Sequence, residues 1–227
     1  MIYTVTLNPA IDYVVRLAAP MQAGAVNRAA GEDYVLGGKG INVSGVLAEL
    51  GCPSVALGFV AGQTGVWLEA GLRAQGLQTD FIHLAQGMTR INVKVKDGQE
   101  TELNGIGPVI PDEAMQALQQ KLAALQPQDV LVLAGSVPAS LPGDTYEVLL
   151  SGLRNKQVRT VVDASGALLA KVLPLTPFLI KPNREELAEL VGRVLPDEEA
   201  VAQAARELQQ QGARNVLVSM AAVSYTH

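Results

Sequence analysis

The sequence predicts an α/β domain, with a mainly parallel central sheet flanked by helices and a small β-sheet lid standing apart from it. Two observations lead there. Short β-branched runs alternate along the chain with segments of helical periodicity, and repeated strand-then-helix units call for a parallel sheet covered on both faces. One region, residues 89–104, breaks that alternation with two extended runs and no helix between them. The 227 residues, 48% of them hydrophobic, suffice for one large core or two unequal lobes. They contain no internal repeat and no low-complexity linker, so the lid is expected to be built from excursions out of one continuous domain spanning 1–227.

In chain order, IYTVTL (2–7) reads as the first strand. It lies in MIYTVTLNPAID, which alternates like a strand and lacks the charged and apolar regions of a signal peptide. DYVVRL (12–17) and EDYVL (32–36) are short extended runs suited to the lid. A helix starting near Ile41 carries Val43, Val46, Leu47 and Leu50 at helical spacing and is closed by Gly51. SVALGFV (54–60) and DFIHL (80–84) follow as strands. In TRINVKVKDGQETELN (89–104), Ile91, Val93 and Val95 alternate with Asn92, Lys94 and Lys96. Asp97-Gly98 signals a two-residue hairpin, which predicts a small antiparallel lid sheet. The helix at 112–125 places Met115, Leu118, Leu122 and Leu125 on a core face. The strands DVLVLAG (129–135), TVVDAS (160–165) and FLIK (178–181) come next. A helix at 197–211 places Val201, Ala204, Ala205 and Leu208 inward, and NVLVSM (215–220) reads as a last strand.

Composition narrows the function classes. The formal charge is −5, the pI is about 5.1, and Lys and Arg are scattered, so no nucleic-acid footprint is expected. The single cysteine, Cys52, sits on a Gly-Cys-Pro turn, excludes an internal disulfide framework and suits a reducing cytoplasm. No apolar run approaches membrane-spanning length, so no membrane partner is expected.

Chemistry concentrates in LGGKGINVS (36–44). It is not a Walker A loop, because the lysine follows Gly37-Gly38 directly, and it is not G-x-G-x-x-G. Gly37, Gly38 and Gly40 permit close backbone approach, and the helix behind them offers unpaired N–H groups and a positive dipole end to an anion or a polyol. Lys39 supplies a point charge. Asn42 can donate to and accept from a hydroxyl. The competing reading is a glycine-rich helix start with an exposed lysine. Asp12, after LNPAI, falls where ligands bind in parallel sheets and can hold sugar hydroxyls, or else it caps a turn. Arg90 begins a lid strand with a planar fork suited to phosphate, or else it keeps a sheet edge soluble. In IKPNREEL (180–187), Pro182 opens a helix on which Asn183 and Glu186 face the same way. They could hold hydrated Mg²⁺ and nucleotide phosphate, or form a capping box.

Taken together, TLNPAID (6–12), VNR (26–28), GGKGINVS (37–44), TRINVK (89–94), LAGSVP (133–138), VDASG (162–166) and IKPNREEL (180–187) resemble, in family order, the ribokinase-like carbohydrate kinases named after phosphofructokinase B. The resemblance implies a ribokinase-like fold and transfer of the ATP γ-phosphoryl group, with Mg²⁺, to the 6-hydroxyl of fructose 1-phosphate. It implies that Asp12, Gly37, Gly38, Lys39 and Asn42 hold the sugar phosphate with Arg28 and Arg90 as cationic partners. Lys181, Asn183 and Glu186 would serve ATP and the metal. A cytoplasmic homodimer formed through the lid is also implied. A tagatose 6-phosphate kinase, a 6-phosphofructokinase and a non-catalytic sugar-phosphate binding protein are the alternatives. The family's catalytic aspartate lies in a Gly-Ala-Gly-Asp motif, whereas this chain reads AAVSYTH after Met220 and no residue in it matches that base. Asp163, in VDASG, maps to a different family position. On this reading the chain is incomplete, poorly stable and without turnover as written.

Overall fold

The computed structural model describes residues 1–220 apart from Ser165; AAVSYTH at 221–227 and the serine of TVVDAS lie outside the described residues. The chain opens with β1 (Ile2–Thr6), leaves for the lid through β2 (Ala10–Leu17) and β3 (Ala29–Gly37), and returns as α1 (Lys39–Glu49). There follow β4 (Ser54–Ala61), α2 (Gly62–Ala74), β5 (Gln78–Thr79) and β6 (Ile82–Leu84). The lid strands β7 (Arg90–Lys96) and β8 (Glu100–Leu103) come next. The second half contains α3 (Asp112–Ala123), β9 (Val130–Ala134), α4 (Thr145–Ser151), β10 (Arg159–Asp163), α5 (Gly166–Val172), β11 (Leu179–Ile180), α6 (Arg184–Val191) and α7 (Glu198–Gln210).

The central sheet is parallel throughout, in the order β11-β10-β9-β1-β4-β5, with β6 also pairing β4. β1 sits in the middle, with Val5 fully buried between Leu57 and Leu133 in register. One core cluster is completed by α3, α4 and α5 through Leu118, Leu122, Tyr146, Leu149 and Leu169. A second cluster (Ile11, Leu36, Ile41, Ala56, Val60, Leu68, Leu72, Phe81) joins the base of the lid to α1 and α2. Its apolar area is what fixes the lid to the sheet.

The helix stripes at 112–125 and 197–211 lie inward: Leu118 and Leu208 are fully buried, and Met115 and Ala205 half-buried. The stripe on α1 is rotated from the expected one. Gly40, Ile41 and Ser44 face the sheet, while Val46 and Leu50 are exposed. The reason is polar. Ser44 Oγ lies 2.8 Å from Thr4 Oγ1, and the Ile41 N–H donates to Thr6 Oγ1 at 3.0 Å, so small and hydroxyl side chains mark the buried face.

Three strand expectations contract. DFIHL is a strand only at Ile82–Leu84 and FLIK only at Leu179–Ile180. NVLVSM forms no continuous strand; it meets its neighbour through single bridges, Ile180 to Val216 and Asn183 to Ser219. Pro182 lies between those bridges and has no N–H to donate, which interrupts the ladder. The lid sheet, order β3-β2-β7-β8, is mixed rather than antiparallel, because β2 and β7 leave the central sheet in the same direction and pair in parallel. The hairpin loop has three residues, 97–99, since Lys96 pairs with Glu100. Asp97 accepts from the backbone N–H groups of Met21 and Gln99, which holds its carboxyl below the usual range.

A Cβ at Gly40 would lie 2.6 Å from Thr6 Oγ1 and 2.8 Å from the Val5 carbonyl oxygen. Gly40→Ala is therefore expected to destabilise by about 1–3 kcal/mol through overpacking, lowering Tm by about 2–4 °C for each kcal/mol. A melt unchanged within a degree would show that α1 can move off β1 freely.

Candidate functional site

The carboxyl ends of β1, β9 and β10 and the first turn of α1 surround a cavity of about 230 Å³ lined by Thr6, Asn8, Gly38, Lys39, Arg90, Gly135 and Ala164, among others. Gly38 is the residue before α1, with φ +135° and its Cα so near Thr6 that a Cβ would come within 2.5 Å of Cγ2. No side chain fits there. The backbone thus turns against the strand end and presents the start of α1 to the cavity. Gly37 is buried, and the Asn42 side chain folds back over it, with Oδ1 3.1 Å from where a Gly37 Cβ would stand.

Lys39 reaches from α1 toward Asp163, its Nζ 3.5 Å from Oδ1; Lys181, just past β11, reaches the same carboxylate, Nζ 3.3 Å from Oδ2. The Asp163 side chain is 13% exposed and the lysines 52% and 37%, so one nearly buried carboxylate holds two cations whose outer faces remain open. Sequence reasoning left Asp163 aside. Its placement at the end of β10 was legible, but its two partners come from separate elements and were not. Tyr146, fully buried beneath the site, donates its O–H to the Gly135 carbonyl at 3.0 Å and fixes the turn after β9. Burial, with the Asp163 charge adding to it, pushes its phenol well above the usual value.

The lid contributes from one face. Arg90 and Asn92 on β7 stand opposite Ala10 and Asp12 on β2. Arg90 Nε donates to the Asn8 carbonyl at 3.2 Å, and burial lowers its pKa while the Asp12 charge opposes that shift. Asp12 is not at the end of the first strand, as its sequence position suggested. It is the third residue of β2, where Oδ1 accepts from Asn92 Nδ2 at 2.8 Å and Oδ2 lies 3.4 Å from Lys94 Nζ. Lys94 in turn contacts Glu102 at 3.2 Å and is held above its usual pKa, chiefly by that partner. Asn8 was missed. It is 8% exposed, lines the cavity, and its Oδ1 is a buried acceptor without a partner among the described residues. Its only signal was membership of TLNPAID.

Arg28 is not brought to the site. It is exposed just before β3, at the end paired with Leu17, whereas the glycine loop follows the other end. Eight residue steps of strand take the chain from Ala29 to Gly37, roughly 26 Å at about 3.3 Å per residue.

Asn183 and Glu186 form a reciprocal capping box at the start of α6. Asn183 Oδ1 accepts from Glu186 N at 2.7 Å, and Glu186 Oε2 accepts from Asn183 N at 2.8 Å. Glu186 Oε1 has no partner among the described residues. A carboxylate so fixed, with one free oxygen, suits Mg²⁺, which keeps several waters and takes phosphate oxygens as well. No group of three or more His, Cys, Asp or Glu able to hold a metal alone occurs among the described residues. Nor is any described helix long and apolar enough to cross a membrane.

Comparison with known proteins shows the family and the fold. Residues 5–224 match the pfkB family carbohydrate kinase model. The chain is 46% identical over 221 residues to 1-phosphofructokinase of Bacillus subtilis, covering 97% of this chain and 72% of that protein. It is 36% identical over 220 residues to D-tagatose-1-phosphate kinase of Bacillus licheniformis, covering 96% and 72%. The structure of phosphofructokinase-2 from Escherichia coli in complex with fructose-6-phosphate superposes with a TM-score of 0.88 at 27% identity, over 97% of this chain and 74% of that one. With its parallel sheet, separate mixed lid sheet and ordered motifs, the chain belongs to the pfkB family of carbohydrate kinases, a phosphotransferase acting on sugar phosphates.

Proposed function

We propose that the protein transfers the γ-phosphoryl group of ATP to the 6-hydroxyl of fructose 1-phosphate, giving fructose 1,6-bisphosphate. One observation carries this reading: Asp163 joins Lys39 of the glycine loop to Lys181 beside the capping-box helix. Acceptor and nucleotide cations thereby converge on a single carboxylate. Asp12, Gly37, Gly38, Lys39, Asn42 and Arg90 would bind the sugar phosphate, with Asn8 Oδ1 accepting from one of its hydroxyls. Lys181, Asn183 and Glu186 would serve the nucleotide phosphates. Mg²⁺, when bound with them at Glu186, neutralises phosphate charge. Catalysis of this kind rests mainly on positioning and charge neutralisation. Asp163 has a lysine near each oxygen, although Oδ1 accepts no hydrogen bond among the described residues, and it maps to a different family position from the catalytic aspartate, so the role of base is not assigned to it. Closure of the lid would exclude water from the transferring group. A second copy would cover the exposed lid residues Tyr34, Val35 and Leu103.

D-tagatose 1-phosphate is the second reading, supported by the 36% identical relative. Turnover of a version that carries the family's Gly-Ala-Gly-Asp motif, measured against fructose 1-phosphate, tagatose 1-phosphate and fructose 6-phosphate, decides between them, and the variants below are made in that version. The highest kcat/KM is expected for fructose 1-phosphate, and a preference for fructose 6-phosphate would reject both ketose 1-phosphate readings.

Lys39→Ala and Arg90→Ala are each expected to raise KM for the sugar phosphate about ten-fold or more while leaving KM for ATP nearly unchanged, as loss of a charge-assisted hydrogen bond of about 1.5–3 kcal/mol requires. Equal effects on both substrates would reject the assignment. Asp163→Asn is expected to behave differently, raising both KM values together, because both lysines lose their shared counter-charge; an effect confined to one substrate would show that the two cations are held independently.

Glu186→Gln keeps an oxygen to accept from Asn183 N but removes the charge. An unchanged melt with a several-fold higher Mg²⁺ requirement is expected. A lowered melt with an unaltered magnesium titration would leave Glu186 as a helix cap alone.

A further inference from the structure

The opposite end of the central sheet contains a second cavity, of about 420 Å³, at the amino ends of β9 and β10. Arg154, Arg159 and Arg214 line it, from the turn after α4, the first residue of β10 and the turn after α7, and no acidic residue does. These arginines are unusual in this acidic chain. Lys39, Lys94, Lys96, Lys121, Lys181, Arg16, Arg73 and Arg193 all pair with carboxylates. Arg90, Lys156, Lys171 and Arg184 donate to backbone carbonyls. Among the described residues the basic side chains left without either kind of partner are Arg28, Arg154, Arg159, Arg206 and Arg214, and three of these line one cavity. Arg159 is held over the Phe178 ring, 5.5 Å from its centroid, which orients the guanidinium without neutralising it.

The backbone adds an independent mark. Gln128, Gln157 and Thr176 are the non-glycine residues with positive φ among the described residues, at +73°, +54° and +54°, and all three line this cavity. For a β-branched residue such as Thr176 that conformation is a genuine outlier. Such costs persist where the surroundings over-determine them, and they cluster at ligand sites.

We propose that this cavity binds a phosphate-bearing small molecule with two or more negative charges. Guanidinium forks match phosphate oxygens in pairs, and three of them complement a diphosphate or bisphosphate better than a single phosphate. The cavity is separate from the kinase site. Arg159 and Asp163 are the first and last residues of β10, about 13 Å apart at about 3.3 Å per residue.

The test is calorimetric titration of the full-length protein with pyrophosphate, ADP, a sugar bisphosphate and orthophosphate at constant ionic strength, with citrate as a non-phosphate polyanion. Saturable pyrophosphate binding is expected. It should weaken ten-fold or more in Arg154→Gln/Arg214→Gln and survive in Lys39→Ala. Binding of ADP or of the sugar bisphosphate that is tighter still, survives in Lys39→Ala and is lost in Arg154→Gln/Arg214→Gln would name the natural source and equally support the site, whereas binding of either that is lost in Lys39→Ala belongs to the kinase site and counts against it. Pyrophosphate should also protect Arg154, Arg159 and Arg214 of the unmutated protein from phenylglyoxal, read by mass spectrometry, so the result does not depend on a variant folding. Binding lost in Lys39→Ala but kept in the double variant, citrate binding as well as pyrophosphate, or no protection would each overturn the proposal. Because these readouts are independent of turnover, they fail or succeed separately from the kinase reading.

Discussion

The close approach of α1 to β1 is the contact from which the site follows. Gly40 packs on the Val5 carbonyl and the Thr6 hydroxyl, and the Ile41 N–H is satisfied by that same hydroxyl. A helix can come this near a strand only where it has no side chain to interpose. The result is a helix start at the carboxyl end of the central strand, where Gly38 and Lys39 line the cavity. Lys39 is carried there as the first residue of the helix, and Gly38 makes the turn that β3 must complete to hand the chain from lid to sheet. Lid, loop and sheet are thus joined at one point, and a shift of α1 would disturb all three.

Electrostatics then couples the elements that this contact brings together. Asp163 is almost out of solvent, and a carboxylate in that position needs compensation. It receives it from two lysines rather than one. Each lysine is drawn inward by half of a shared charge and keeps an exposed side for an incoming anion. A single strong ion pair would have consumed a cation; sharing leaves both available. Arg90 reaches the same cavity by another route, using carbonyl acceptors on Asn8 and Gly105, so that its charge is balanced only at a distance by Asp12.

Much of this was legible in the sequence, and the parts that were not have a common cause. The alternation of β-branched runs with helical stripes gave the parallel sheet, and the break at 89–104 gave the lid, because both are local patterns with fixed periods. Lys39, Gly38 and Arg90 could be singled out for the same reason. The phase of α1 was not legible, since its buried face is written in Gly40, Ser44 and hydroxyl partners rather than in leucines. The parallel pairing of β2 with β7 depends on how two excursions leave the sheet some 80 residues apart in sequence. Arg28 sat in a motif beside residues that do meet, yet strand length carries it to the far end of the lid. Asp163 was visible as a residue, but its role is defined by two partners from other elements. The capping box at Asn183 and Glu186 was weighed against a metal role, and the structure realises the cap in full while leaving one carboxylate oxygen uncommitted.

That last case bears on how a site of this kind is built. A carboxylate waiting for a hydrated metal has to be held in orientation by something other than the metal, and the capping hydrogen bond from Asn183 N does so through Oε2 alone. The helix start gains a satisfied N–H, and the free oxygen gains a fixed direction. The same economy recurs at Tyr146, a buried phenol whose hydroxyl has no route to solvent and therefore tethers the Gly135 carbonyl, and at Asn92, which bridges Asp12 to the Gly105 backbone N–H. In each instance a group that folding must satisfy is satisfied by a group that the site must hold still. The rigidity of the site is therefore a consequence of ordinary hydrogen-bond completion in the interior, and it needs no additional strain in the residues proposed to touch the substrates.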